Sequence, residues 1–151
     1  MVIPLSEGLS LGHGLFRSVI IRRSMAETQR IRVLVVDDHR MFTEALTAVL
    51  RQDGRFEVVG TAATGREAVR LAKTAEAEVV LMDLSMPVLD GPAATRRLVA
   101  LEHAPCVIAL SGHTDGLSRA AALEAGASAY VTKSEAFDEL VETILQHCDR
   151  R

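Results

Sequence analysis

From Ile31 onward, apolar and polar positions alternate in a regular order. Ile31–Val36 is a near-continuous apolar run, as expected of a parallel strand buried on both faces. Phe42, Ala45, Leu46, Val49 and Leu50 follow at i, i+3, i+4, i+7 and i+8, which is one face of a helix. Phe56–Thr61 is a second strand, rich in β-branched residues, and Ala68, Leu71 and Ala72 mark a second helical face. Val79–Met82 is a third strand ending at Asp83. Asp90-Gly91-Pro92 opens a third helix, with Asp90 as its N-cap and Pro92 in the first turn, where a missing N–H costs nothing. Cys106–Leu110 is a fourth strand. Leu117–Ala125 is an Ala-rich fourth helix stopped by Gly126. Ala127–Val131 is a fifth strand. Ser134 is placed to cap a last helix whose apolar face is Phe137, Leu140, Val141, Ile144 and Leu145.

Strict alternation of strands and helices predicts an α/β protein: a doubly wound parallel sheet with helices on both faces and right-handed crossovers. Five units predict the flavodoxin-like (βα)5 arrangement with strand order 2-1-3-4-5. In such sheets the ligand crevice lies at the carboxyl ends of the strands, beside strands one and three.

Residues 1–24 read differently. They hold Pro4, Gly8, Gly12 and Gly14, and three arginines (Arg17, Arg22, Arg23) against one acid, Glu7. Their basic residues come last and glycine interrupts the apolar stretch, which is the wrong order for a secretory signal. Met25-Ala26-Glu27 reads as the start of the functional chain. The expected organisation is a poorly ordered leader over 1–30, a folded domain over 31–148 and a tail over 149–151. A chain of 151 residues holds one domain of this kind.

Net charge is −3, and the leader contributes +2, so the acidic balance belongs to the folded part. This disfavours non-specific contact with nucleic acid or anionic membrane. Aromatic residues make up only 3% of the chain, with no Trp, which argues against stacking platforms for single-stranded nucleic acid. No apolar run approaches a membrane span. Cys106 and Cys148 form no CxxC and have no metal-ligand spacing. They are expected to be a reduced pair in a cytoplasmic protein.

The chemistry lies at the predicted strand ends. Strand one ends in Asp37-Asp38, strand three in Asp83 and strand four in Ser111, and strand five is followed by Lys133. Three carboxylates brought together repel one another unless a cation intervenes. The set is read as oxygen-only, which suits Mg2+. Mg2+ bridges carboxylates to phosphoryl oxygens, and Lys133 and Ser111 add a charge and a hydroxyl donor. Such a constellation suits phosphoryl transfer, with a carboxylate as nucleophile.

From about Arg32 to His147 the sequence resembles the receiver domains of two-component response regulators. The resemblance rests on Val35-Val36-Asp37-Asp38-His39, Val80-Leu81-Met82-Asp83-Leu84-Ser85-Met86-Pro87, Asp90-Gly91, Ala109-Leu110-Ser111, Gly126-Ala127 and Tyr130-Val131-Thr132-Lys133. It implies that Asp83 is the phosphoacceptor, that Asp38 binds Mg2+ directly and that Asp37 acts through a metal-bound water. It further implies a metal contact from the Ser85 backbone carbonyl, a switch hydroxyl at Ser111, a phosphate-pairing Lys133 and a switch aromatic at Tyr130. The Asp-Asp-His start is most like receivers fused to helix-turn-helix outputs. Two departures stand out. Ser134 follows Lys133 where many receivers carry a cis-proline, and His113 and Ser85 occupy positions that tune dephosphorylation. His39 is not taken as a metal ligand.

The implied partners are a sensor histidine kinase and a downstream protein or output domain. A homodimer is an open possibility, and the chain itself is expected to touch neither nucleic acid nor membrane. It is expected not to be an enzyme beyond its own phosphorylation and dephosphorylation at Asp83. A receiver fragment of a DNA-binding regulator and a degenerate receiver are the competing readings. A dehalogenase-type hydrolase would need Asp-x-Asp at the first strand end, and a dinucleotide module would need a glycine-rich turn there; neither is present.

Overall fold

The computed structural model of the protein describes residues 29–86, 90–112 and 116–148. Expectations that fall on residues 1–28, Pro87, His113 and the tail 149–151 lie outside the described residues.

The elements follow the predicted order. They are β1 (Ile31–Val36), α1 (Arg40–Gln52), β2 (Phe56–Ala62), α2 (Gly65–Thr74), β3 (Val79–Asp83), α3 (Gly91–Val99), β4 (Cys106–Ser111), α4 (Gly116–Ala125), β5 (Ala129–Thr132) and α5 (Lys133–His147). The strands form one sheet in the order β2-β1-β3-β4-β5, and all four pairings are parallel. Apart from Arg32 near the start of β1 and the site residues Asp83 and Ser111 at the ends of β3 and β4, the central strands are apolar because both of their faces are covered. Val33 and Val35 of β1, Leu81 of β3 and Ile108 of β4 pack with Leu46 and Leu50 of α1 and Leu140 and Ile144 of α5. Their neighbours Leu34, Val36, Val80, Met82 and Val107 pack on the other side with Ala68 of α2, Leu98 of α3 and Ala122 of α4.

Helix starts and stops follow local chemistry. Asp90 caps α3 by accepting a bond from Ala93 N at 2.9 Å, and Pro92 sits in the first turn as expected. Thr64 caps α2, accepting from Glu67 N at 3.1 Å. Gly126, at φ +116°, ends α4 in a conformation that other residues rarely adopt.

Four expectations are corrected. Ala45 is exposed, and the buried stripe of α1 runs instead through Thr43, Leu46, Thr47 and Leu50. On α5, Phe137 and Leu145 lie outside the buried stripe of Ala136, Leu140 and Ile144. Counting apolar residues misleads here because each stripe accepts small or weakly polar residues and leaves marginal apolar ones outside. The N-cap of α5 is Thr132, not Ser134. The helix starts directly where β5 stops, so Ser134 falls within its first turn.

The fourth correction concerns the cysteines. Cys106 and Cys148 are joined as a disulfide, with Cα atoms 5.6 Å apart. Cys106 opens β4 and Cys148 follows the last turn of α5. In a βα unit the helix runs back against the strands, so a helix's end and a strand's start meet at the same edge of the sheet. No helix among the described residues is long and apolar enough to cross a membrane.

Candidate functional site

The site is built by the register of β1 against β3. Val36 pairs with Met82, so Asp37 and Asp83 stand next to each other at the carboxyl ends of adjacent strands. By the two-residue period of a strand, Asp37 shares a face with Val35, and Asp83 with Leu81. Both carboxylates therefore turn toward the α1 and α5 side. The carboxyl end of β4 brings in Ser111, which pairs with Thr132, the residue before Lys133.

Asp37 is only 3% exposed and Asp83 2%. Asp37 Oδ1 accepts bonds from His39 N at 2.8 Å and lies 3.0 Å from His39 Nδ1, while Oδ2 lies 2.6 Å from Lys133 Nζ. Asp83 Oδ1 accepts from Ser85 N at 3.3 Å and lies 3.5 Å from Lys133 Nζ. Asp83 Oδ2 is buried without a hydrogen-bond partner. Asp38 is more open, with Oδ1 3.3 Å from His39 Nδ1. Carboxylate and imidazole donors of Asp37, Asp38, His39 and Asp83 all lie within 4.8 Å of one another.

Charge is unequally shared. Burial pushes both carboxyls up. At Asp37 the Lys133 ammonium and the two bonds from His39 outweigh burial, so its carboxyl titrates below the usual range. Asp83 is raised to about 6, first by burial and then by the negative Asp37 beside it, against the pull of Lys133 and Ser85 N–H. An acidic pocket with one raised carboxyl and one orphaned oxygen is fitted to receive a cation.

The structure thus brings Asp37, Asp38, Asp83 and Lys133 together, with Ser85 bonded to Asp83 through its backbone. Ser111 is buried at the neighbouring strand end. Tyr130 is not in the cluster. It is half-buried on β5, packs on the α4 side of the sheet, and has the Arg119 guanidinium 5.8 Å from its ring centre.

Two residues near the acids were left out of the site by the sequence reading. His39 was considered as a ligand and set aside, although it directly follows Asp37-Asp38. Phe42 was read only as part of a core face. Its ring centre lies 4.9 Å from Lys133 Nζ, a cation–π contact that helps hold the ammonium over the acids.

Comparison with known proteins agrees with this fold. The family model for the response regulator receiver domain matches residues 33–145. A protein-glutamate methylesterase/protein-glutamine glutaminase of Halalkalibacterium halodurans is 40% identical over 105 residues, which cover 69% of this chain and 30% of that protein. The transcriptional regulatory protein DegU of Brevibacillus brevis is 35% identical over 115 residues, 76% of this chain and 49% of that protein. The chain thus spans half or less of the length of these relatives. Among solved structures, the signal receiver domain of the response regulator NarL from Mycobacterium tuberculosis superposes with a TM-score of 0.76 at 31% identity, covering 82% of this chain and 99% of that one.

Proposed function

Because the chain belongs to the response regulator receiver domain family, we propose that it accepts a phosphoryl group on Asp83 and reports the event through a changed protein-binding surface. The donor is a phosphohistidine on a sensor histidine kinase, or a small acyl phosphate. An Asp83 carboxylate oxygen attacks phosphorus in line as the bond from phosphorus to the leaving imidazole or carboxylate breaks, giving an aspartyl phosphate. Burial excludes competing water from Asp83, and the Ser85 N–H orients the carboxylate.

Mg2+ is the cation we assign, held by Asp37, Asp38, Asp83 and the Ser85 backbone carbonyl. When bound, it neutralises the charge gathered on the phosphoryl oxygens. Hard oxygen donors and the orphaned Asp83 Oδ2 fit that ion. Lys133 leaves its place beside Asp37 to pair a phosphoryl oxygen, and the Ser111 hydroxyl takes another. Movement of Ser111 and Tyr130 then biases the surface of α4 and β5 between two states.

The supporting observation is the burial of Asp83 beside Asp37 and Lys133, with its Oδ2 left without a hydrogen-bond partner. The test is to incubate the chain with acetyl phosphate and Mg2+ and weigh it intact. One phosphoryl group is expected on the wild type and none on Asp83→Asn. No added mass, or a gain that persists in Asp83→Asn, overturns the assignment.

The half-length match to a transcriptional regulatory protein favours a second reading for the output: a receiver fragment of a DNA-binding regulator. A helix-turn-helix region encoded in frame beyond Arg151 decides for it. A reading frame that closes there decides for a receiver acting through separate partners.

A further inference from the structure

The acids at the strand ends were read as an oxygen-only set, but the structure adds a nitrogen to them. His39 Nδ1 lies 3.0 Å from Asp37 Oδ1 and 3.3 Å from Asp38 Oδ1. The backbone holds it there, since His39 N bonds the same Asp37 oxygen at 2.8 Å. Lys133 Nζ lies 3.5 Å from the same ring nitrogen.

Carboxylate oxygens and an imidazole nitrogen are thus gathered at one point, and a divalent ion binds both kinds of donor through their lone pairs. The donors span no more than 4.8 Å, close to the separation of opposite ligands around one ion with bonds of about 2.0–2.2 Å. Asp83, the most deeply buried of the four residues at 2% exposure, has its Oδ2 buried without a hydrogen-bond partner.

We infer that His39 is a metal ligand of this site, and that its imidazole raises the affinity for borderline divalent ions such as Co2+ and Zn2+ above what the carboxylates alone provide. Imidazole suits these ions, whereas Mg2+ gains little from a nitrogen donor. His39 is therefore a specificity-determining residue, and which ion fills the site depends on which is available. The inference rests on the reading of the acid cluster as a divalent-cation site.

The test uses the full chain. Pulsed EPR of one equivalent of bound Mn2+ is expected to show imidazole-nitrogen modulation in the wild type. The modulation should be lost in His39→Ala and His39→Gln, retained in His147→Ala, and lost in Asp38→Asn. In competition titrations, His39→Ala should weaken Co2+ by at least the roughly tenfold that even an outer-shell partner is worth, and leave Mg2+ nearly unchanged. His39 is 68% exposed, so the substitutions leave the core intact. No nitrogen signal in the wild type, or a signal that survives His39→Ala, overturns the inference. Acetyl phosphate labelling with Mg2+ separates this from the receiver reading. Labelling of wild type and His39→Ala alike, without a nitrogen signal, overturns the role of His39 alone. A nitrogen signal without labelling of Asp83 upholds the ligand and overturns the phosphoacceptor.

Discussion

Lys133 Nζ lies 2.6 Å from Asp37 Oδ2. The ammonium is thereby an internal counterion, held at 18% exposure between two buried acids. Its proximity to Asp37 rather than Asp83 means that the cation proposed for this pocket would compete with Lys133 for the same carboxylate, and binding it would call for release of the lysine.

Lys133→Met is accordingly expected to destabilise the metal-free chain. It leaves Asp37 and Asp83 uncompensated, and breaking one side of a buried ion pair costs about 3 kcal/mol or more. Millimolar Mg2+ should narrow the gap, because the ion replaces the missing charge. Urea unfolding with chelator and with Mg2+ measures both terms. A gap that is the same in the two conditions refutes the counterion role.

Asp83 carries a pH signature. Its carboxyl is raised to about 6 in the fold, from 3.8 in an open chain. A raised acid costs stability where it is ionised in the fold. The cost is fully present above pH 6 and disappears as pH falls through 6 toward 3.8. Asp83→Asn removes the buried charge and is expected to stabilise the metal-free chain at pH 7, on the order of 2 kcal/mol. The advantage should vanish near pH 4. Unfolding curves of both proteins across that range check it, and an advantage that does not shrink on acidification refutes it.

The strands and the acids could be read from sequence for the same reason. A strand covered on both faces must be apolar throughout, so a charged residue where the run stops marks the strand's end, and strand ends in this topology meet. Asp37, Asp83, Ser111 and Lys133 were legible on that ground. Side-chain reach was not. Which carboxylate Lys133 pairs with, the turn of His39 back to Asp37, and Phe42 beneath the ammonium all depend on rotamers and on helix placement to within a few ångströms. Ala45 and Phe137 were misplaced because apolar spacing alone cannot tell the middle of a buried stripe from its margin. Cys106 and Cys148 were a missed opportunity. Strand starts and helix ends share one edge of a parallel sheet, so their proximity followed from the topology.

Gly91 is a position where backbone contact sets the site. A Cβ there would stand 2.4 Å from the Asp83 carbonyl oxygen and 2.5 Å from Leu84 Cα, both backbone atoms that cannot swing aside. Gly91→Ala must push α3 away from the end of β3 or bend the strand that carries Asp83. A loss of about 2–3 kcal/mol is expected from such overpacking, together with slower phosphoryl uptake. Gly112→Ala is the control, since nothing lies within 4 Å of its added carbon. Equal behaviour of the two variants in thermal unfolding refutes the close-approach argument.

The Cys106–Cys148 bond closes a loop of sequence separation 42 across the edge of the sheet opposite the acids. It ties β4, which carries Ser111, to α5, which begins at Lys133. The Cα separation of 5.6 Å lies within the ordinary range for a disulfide, so the fold needs no rearrangement to form it. Chain entropy assigns a loop of this length about 4 kcal/mol of stabilisation. Oxidised protein unfolded without reductant should expose no free thiol, and reductant should release both. Reduced wild type should unfold at lower urea and come close to Cys148→Ala under either condition, since alanine removes the bond without placing a hydroxyl in the apolar cluster around Cys148. Two reactive thiols in the oxidised chain, or equal midpoints for the oxidised and reduced forms, would refute the covalent tie. If the tie holds, reduction should loosen the last turn of α5 first, seen as faster amide exchange at residues 144–148 with the acid cluster still able to bind metal.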